Sequence, residues 1–234
     1  MSIFHFKEFS IRQDNSILKV GTDAMVLGSL VNSEKAKQIL DIGTGTGVLA
    51  LMMAQKYENA KLTAVEIDVL SADDCEFNFK SSPWNKRLEV IVKNILDFEA
   101  ENKFDLIICN PPFYSNSLAN EDQRKASAKH TAYLPFEELF KKVVSLLFQE
   151  GQFWMILPFQ DKEIVRKIAV ENGLFPKTDV TVNSKLNQPV RTVFCFTTTI
   201  SQTMEKDAVT IRKSDNSYTE EYKILTADFH GVQL

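Results

Sequence analysis

Cysteine is scarce and poorly placed for chemistry: Cys75, Cys109 and Cys195 lie far apart and form no CxxC pair, which excludes a zinc knuckle and a disulfide framework. Reduced, buried thiols are expected. Histidine is equally sparse, and neither His5 nor His230 has Cys, Asp or Glu at ligand spacing, so no metal is expected. Long apolar runs are missing too. The longest, 48–54, falls far short of the roughly 20 residues of a membrane span, and residues 1–7 lack a signal-peptide pattern, so the expected compartment is the cytoplasm. Positive charge is not in excess: 27 Lys and Arg against 31 Asp and Glu give a formal net charge of −4. General phosphate attraction is thereby excluded, and a nucleic-acid partner would have to meet a local basic patch. With no internal repeat, low-complexity tract or linker, residues 1–234 read as a single domain, expected to act as a monomer.

What is present is alternation. Phe4, Phe6, Phe9 and Ile11, a turn at 13–15 and a second apolar stretch at 17–20 predict a hairpin. A helix carrying Met25, Val26, Leu27, Leu30 and Val31 follows, capped by Thr22 or Asp23; together these make residues 1–36 an N-terminal extension. From Lys37 onward strands and helices take turns: strand Gln38–Ile42, helix Val48–Lys56, strand Lys61–Glu66, a helix near 72–79, then strands Leu88–Val92 and Phe104–Cys109. A helix at 136–148, a strand at 152–157 and a helix Lys162–Glu171 ended by Asn172-Gly173 continue the series. This pattern predicts an α/β core over 37–234, a mostly parallel sheet with helices on both faces. Strands near 179–182 and 192–196 have no helix between them and complete a seven-stranded sheet as an antiparallel hairpin at its edge. Segment 114–134 is long, polar and aperiodic, the pattern of a mobile loop beside a site.

The first parallel strand runs into Asp41-Ile42-Gly43-Thr44-Gly45-Thr46-Gly47, where glycines allow a tight turn and close approach of a ligand to backbone. In a nicotinamide fingerprint the third glycine would stand at Val48, so the spacing favours the methyltransferase form of this loop, with Asp41, Gly43, Thr44, Gly45 and Gly47 around S-adenosylmethionine. The second strand ends Glu66-Ile67-Asp68. Glu66 is placed to hydrogen-bond two ribose hydroxyls with Ile67 beside it, and Asp68 to cap the next helix. Asn94, after the third strand, is either a contact to the cofactor adenine or a solvated loop asparagine.

The apolar strand Phe104–Cys109 leads into Asn110-Pro111-Pro112-Phe113, which resembles the (D/N)PP(Y/F) motif of amino-group methyltransferases. An exocyclic amino nitrogen is planar, with its lone pair delocalised away from an electrophile. The Asn110 side-chain oxygen and the Pro111 carbonyl, stiffened by Pro112, can accept its two hydrogens and aim the lone pair. Phe113 can stack on the flat substrate. Cys109 belongs to a buried strand and is not a candidate nucleophile.

These motifs are joined by Phe6-Lys7-Glu8-Phe9-Ser10-Ile11-Arg12-Gln13-Asp14 and Lys19-Val20-Gly21-Thr22-Asp23-Ala24-Met25, and near the end by Tyr218-Thr219-Glu220-Glu221-Tyr222 and Leu225-Thr226-Ala227-Asp228-Phe229. Together they resemble the bacterial tRNA(Val) adenine N6-methyltransferase family over nearly the whole chain. The resemblance implies a Rossmann-like class I methyltransferase that uses S-adenosylmethionine to methylate adenine 37 of tRNA1(Val), with Gly21, Thr22 and Asp23 bordering the cofactor pocket. It also implies that Arg124, Lys129 and His130 belong to an RNA-facing loop; read without it, those charges form a solvated face. Arg12, Lys19 and Lys125 are further basic residues placed to meet phosphates. Competing expectations are guanine-N2 methylation of rRNA, glutamine-N5 methylation of a protein, and a non-catalytic cofactor-binding RNA module. The intact Asn110–Phe113 tetrapeptide argues against the last.

Overall fold

Short apolar strands that alternate with helices bury both their faces only as a parallel sheet between helical layers. The computed structural model, which describes residues 2–16, 19–34, 36–111, 135–201 and 203–230, has that architecture. A two-stranded hairpin, β1 (Ile3–His5) and β2 (Ser10–Arg12), precedes α1 (Thr22–Leu30). The core then runs β3 (Gln38–Ile42), α2 (Val48–Lys56), β4 (Lys61–Glu66), α3 (Val69–Ser81), β5 (Leu88–Val92) and β6 (Phe104–Cys109). It continues with α4 (Phe136–Leu146), β7 (Leu147–Pro158), α5 (Lys162–Glu171), β8 (Phe175–Asn183), β9 (Pro189–Thr197), β10 (Glu205–Thr210) and α6 (Glu220–Thr226).

The sheet order is β10-β8-β9-β7-β6-β3-β4-β5, and every neighbouring pair is parallel except those made by β9. Alternate residues of each strand feed two cores. Ile39, Leu62, Leu106, Ile108 and Trp154 face the layer of α1 and α2, and Leu40, Ile42, Ile107, Phe153 and Met155 face α4 and α5. Helix α2 is buried from Val48 through Ala54. An amphipathic helix would leave one face wet; this one is apolar all round because α1 covers the side turned away from the sheet. Two cations close helix ends that would otherwise leave bare carbonyls: Lys56 Nζ reaches the carbonyls of Ser29 and Val31 at the end of α1, and Arg87 those of Ala54, Tyr57 and Ala60 at the end of α2. No helix among the described residues is long and apolar enough to cross a membrane.

Four expectations need correction. The sheet has eight strands, not seven: β10 adds in parallel beside β8. Only Val209 of that strand is buried, so an exposed, charged edge strand left no apolar alternation to read. The antiparallel β8–β9 hairpin forms as expected but is not at the edge, since β10 lies outside β8. The N-terminal hairpin turns over 6–9, closed by Phe6 N–H on the Phe9 carbonyl, rather than at 13–15. Asn15 and Ser16 instead donate their N–H groups to Asp74 on α3, which carries the chain away from β2; Ile17 and Leu18 of the expected return strand lie outside the described residues. Finally, α1 is entered through Gly21 without a side-chain cap, so neither Thr22 nor Asp23 caps it.

Candidate active site

β3 delivers Asp41 to its C-terminal end, and the chain turns over Gly43, Gly45 and Gly47 into α2. All three glycines hold positive φ, 66°, 55° and 82°, a region that L side chains rarely adopt. Gly47 is also packed shut: a Cβ there would lie 2.7 Å from the Phe79 ring and 2.8 Å from Cys75 Sγ. Gly43 and Gly45 face open space among the described residues, with no atom beyond their chain neighbours within 4 Å of where a Cβ would stand. The turn is thus anchored on its helix side and bare on the other.

Glu66 ends β4 beside this turn. Its Oε2 accepts the Gly45 N–H at 2.8 Å, and its Oε1 accepts those of Ile67 and Asp68 at 2.9 Å each. Asp68 caps α3 as expected, accepting from Ser71 N–H at 2.8 Å. Asp41 is buried; its Oδ2 takes the Thr44 hydroxyl at 2.6 Å and the Ala50 N–H at 3.2 Å, while its Oδ1 has no partner among the described residues. Burial pushes the Asp41 carboxyl up to about 7 against the hydrogen bonds from Thr44 and Ala50, and the charge of Glu66 adds to the rise. Asn94 stands at the end of β5, where its side chain accepts the Leu96 N–H at 3.0 Å and so caps a short 3-10 turn, Ile95–Asp97.

Register brings the two motifs together. β3 pairs with β6 through Ile42 and Cys109, so the residues that follow, Gly43 and Asn110, leave the sheet side by side. Asn110 Oδ1 is buried and has no hydrogen-bond partner among the described residues, a condition costly enough to demand an explanation at a native site. Pro111 follows, buried. Pro112 and Phe113 lie outside the described residues, as do Arg124, Lys125, Lys129 and His130. Cys109 is buried and burial drives its thiol far above the ordinary range, which leaves no thiolate for nucleophilic chemistry.

The N-terminal candidates divide. Asp23, in the first turn of α1, pairs with Arg191 at 2.9 Å. Arg191 opens β9 opposite Pro158 at the end of β7, so this pair stands at the same sheet edge as Asn110. Gly21 and Thr22 precede it at the entry to α1. Lys19 is exposed. Arg12 is engaged internally: its Nε donates to Asp74 at 2.9 Å, its Nη2 to the Asp73 carbonyl, and its guanidinium lies 3.9 Å from the centre of the Phe77 ring. Burial of Asp74 opposes ionisation, but hydrogen bonds from Asn15, Ser16 and Arg12 outweigh it and hold the carboxyl below its usual range.

Sequence reasoning missed three supporting residues. Asp74 and Asn78 hold the N-terminal segment, and Asn78 also donates to the Thr46 carbonyl at 2.9 Å, tying that segment to the glycine turn. Two polar residues four apart on the buried face of α3 were the available signal. Arg191 left no such signal, because its partner is 168 residues away in sequence. A separate cleft of about 1080 Å³ opens near the N-terminal ends of the strands, among Asp105, Gln152, Trp154, Lys177 and Asp207. It shares no residue with the candidate site.

Comparison with known proteins places this arrangement. The family model described as the methyltransferase small domain matches residues 16–169. A protein of Pedobacter heparinus named tRNA1(Val) (adenine(37)-N6)-methyltransferase is 37% identical over 227 residues, covering 97% of each chain. One of the same name from Bacteroides thetaiotaomicron is 36% identical over 229 residues, covering 97% of this chain and 96% of that one. Among solved structures, a predicted O-methyltransferase of Agrobacterium tumefaciens aligns with a TM-score of 0.68 at 17% identity, covering 88% of this chain and 96% of that one. TYW2 of P. horikoshii, solved with MeSAdo, aligns at 0.59 and 16%, covering 83% and 70%. These two likenesses speak for the fold, the near full-length relatives for the lineage: the chain belongs to the tRNA1(Val) (adenine(37)-N6)-methyltransferase family of small-domain methyltransferases.

Proposed function

We propose that this chain transfers a methyl group from S-adenosylmethionine to N6 of adenine 37 in tRNA1(Val), the substrate for which its relatives are named. One observation carries the reading: among the described residues, a buried amide oxygen on Asn110 without a partner stands next to a glycine turn with an open face. The residues present fit the cofactor. The turn offers a bare backbone surface, Glu66 brings a carboxylate to its rim, and beneath it Asp41 keeps an oxygen without a partner among the described residues. The donor, when bound, supplies an activated methyl group on a sulfonium, so the protein's own task is orientation and electrostatics.

In this proposal Asp41, Gly43, Thr44, Gly45, Gly47, Glu66 and Ile67 hold the donor, with Gly21, Thr22 and Asp23 on its flank. Asn94 borders the adenine end while its own oxygen caps the turn behind it. Asn110 Oδ1 and the Pro111 carbonyl accept the two hydrogens of the target amino group. That interaction satisfies the stranded Asn110 acceptor and turns the nitrogen lone pair outward. Pro112 stiffens the turn and Phe113 stacks on the base, while Lys19, Arg124, Lys125, Lys129 and His130 serve the RNA backbone. Residues 37–234 then form the catalytic core, 1–36 its N-terminal flank and 114–134 the substrate loop of one domain. An exposed loop base is the kind of target such a site can take, because extruding it costs little.

Incubation with methyl-labelled S-adenosylmethionine and unmodified tRNA, followed by nucleoside digestion and mapping, tests the reading. Label in N6-methyladenosine at position 37 is expected. Label in N2-methylguanosine, or in protein and not in RNA, would overturn it.

A further inference from the structure

Beyond Asn110, the same sheet edge carries a second feature that the reaction does not use. β8 ends at Asn183 and β10 at Thr210, and the two loops that follow are laced together: Ile211 N–H donates to the Asn183 carbonyl, Arg212 N–H to that of Ser184, and Lys185 Nζ to that of Ser214. Each loop is fixed further by its own bonds, Ser184 N–H to Gln188 O and Lys213 N–H to Ser217 O. The two loops hold the only non-glycine residues with positive φ among the described residues, Asn187 at 58° and Asn216 at 68°. Asparagine tolerates that conformation best, so both loop tips are set in place.

The ledge so formed is basic in an acidic protein. Residues 183–188 and 211–219 contain three cations, Lys185, Arg212 and Lys213, against one carboxylate, Asp215, whose oxygen is occupied by the hydroxyl and N–H of Ser217. Of the two carboxylates that follow on α6, Glu220 pairs with Lys223 at 3.2 Å and reaches Lys213 only at 3.9 Å, and Glu221 accepts the Thr210 N–H at 3.0 Å. The Arg212 guanidinium stands over the Tyr218 ring, 4.3 Å from its centre, held there by bonds to the Tyr218 hydroxyl at 3.1 Å and the Asn216 carbonyl at 2.6 Å, and Tyr218 stacks in turn on Tyr222 at 4.9 Å. A stacked guanidinium plane is a platform on which an unpaired base can lie. Leu186, 75% exposed at the tip, offers an apolar edge alongside.

Position makes the ledge relevant. Asn183 and Pro189 pair just beyond Val182 and Arg191, and Arg191 faces Pro158, three residues past the Met155 that pairs with Cys109. At about 4.8 Å per strand, β8 stands three strands, or roughly 14 Å, from β6, and the ledge extends past the level at which Asn110 leaves the sheet. That span is a few nucleotides long, so a chain whose base is held at Asn110 can reach Lys185 and Arg212.

We propose that this ledge, Lys185, Leu186, Arg212, Lys213 and Tyr218, is a preformed RNA-docking surface that grips the backbone of the substrate arm and stacks one unpaired base. The inference rests on the reading of the substrate as RNA. Its test is direct binding, which needs no turnover: titration of a labelled anticodon stem–loop at several salt concentrations, with wild type, the pair Lys185→Ala and Lys213→Ala, and Arg212→Gln. A control pair, Lys37→Ala and Lys61→Ala, removes the same charge at the opposite end of the strands. The ledge pair should weaken binding on the order of tenfold and make the slope of log K against log salt shallower by about 1.4–1.8, at roughly 0.7–0.9 per lost phosphate contact. Arg212→Gln should weaken binding with a smaller change in slope. Cofactor affinity should stay as in wild type, and the control pair should move RNA binding far less.

Equal affinity and slope in the ledge pair, or an equal loss in the control pair, would overturn the ledge. Binding that depends on the ledge without methylation of the bound adenine would leave the ledge standing and remove the substrate assignment. Absence of RNA binding by wild type would remove both.

Discussion

Replacing Asp41 by Asn isolates a single buried carboxylate whose ionisation the fold opposes. Burial raises its pKa from the usual 3.8 to about 7, so between these values the native protein holds a proton that the unfolded chain has lost. Stability from this group is complete below about pH 4, declines as pH rises, and levels off above 7. Three units at about 1.36 kcal/mol each set an upper bound of about 4 kcal/mol on the penalty. The Asn side chain titrates nowhere in this window and keeps an oxygen for the Ala50 N–H, at the expense of the Thr44 hydroxyl, which prefers a carboxylate. Urea unfolding without cofactor, from pH 4.5 to 8.5, should therefore show the Asn variant gaining on wild type by a few kcal/mol up to pH 7 and holding a constant difference beyond. Cofactor affinity should move the opposite way, weaker in the variant at every pH. A stability difference independent of pH would refute the assignment of the shift to Asp41. A variant with wild-type affinity for the donor would show that the buried charge is not kept for binding.

Asn110→Ala should lower turnover roughly a hundredfold or more while cofactor binding, followed by calorimetry, changes little, since it removes one positioned acceptor from the reacting group; near wild-type turnover would free Asn110 of its role. Glu66→Ala should cost on the order of 1–3 kcal/mol of cofactor affinity, the range for a hydrogen-bonded charged group, and calorimetry showing no loss would remove Glu66 from the pocket. Gly47→Ala should destabilise the fold by about 1–3 kcal/mol, because its Cβ meets the Phe79 ring and Cys75 on a positive-φ backbone. Gly45→Ala, which meets nothing, pays only the backbone strain, so its thermal melting should fall less while its donor binding falls more. The reverse ranking in melting would contradict the open-face geometry.

Strands β3 to β6 were legible to the residue because each is a short apolar run stopped by turn chemistry, and the glycine turn was legible because its three positive-φ positions favour glycine. What escaped the sequence is polar and long-range. Local rules state whether a charged side chain can point to water, and say nothing about whether a distant element will meet it. Arg12 reads as a surface cation, yet the hairpin lands on α3 and its guanidinium is taken by Asp74 and Phe77. Arg191 is one basic residue among 27; it reaches Asp23 only because β9 inserts antiparallel between β7 and β8 and so begins, rather than ends, at the edge where Asn110 leaves the sheet. The same insertion sends the β8–β9 turn to that edge, where it meets the loop after β10. A sheet with β8 and β9 exchanged would put β9 between β8 and β10 and deny the turn its partner. The ledge beside the site is therefore a product of strand order, and no window along the chain contains the information that builds it.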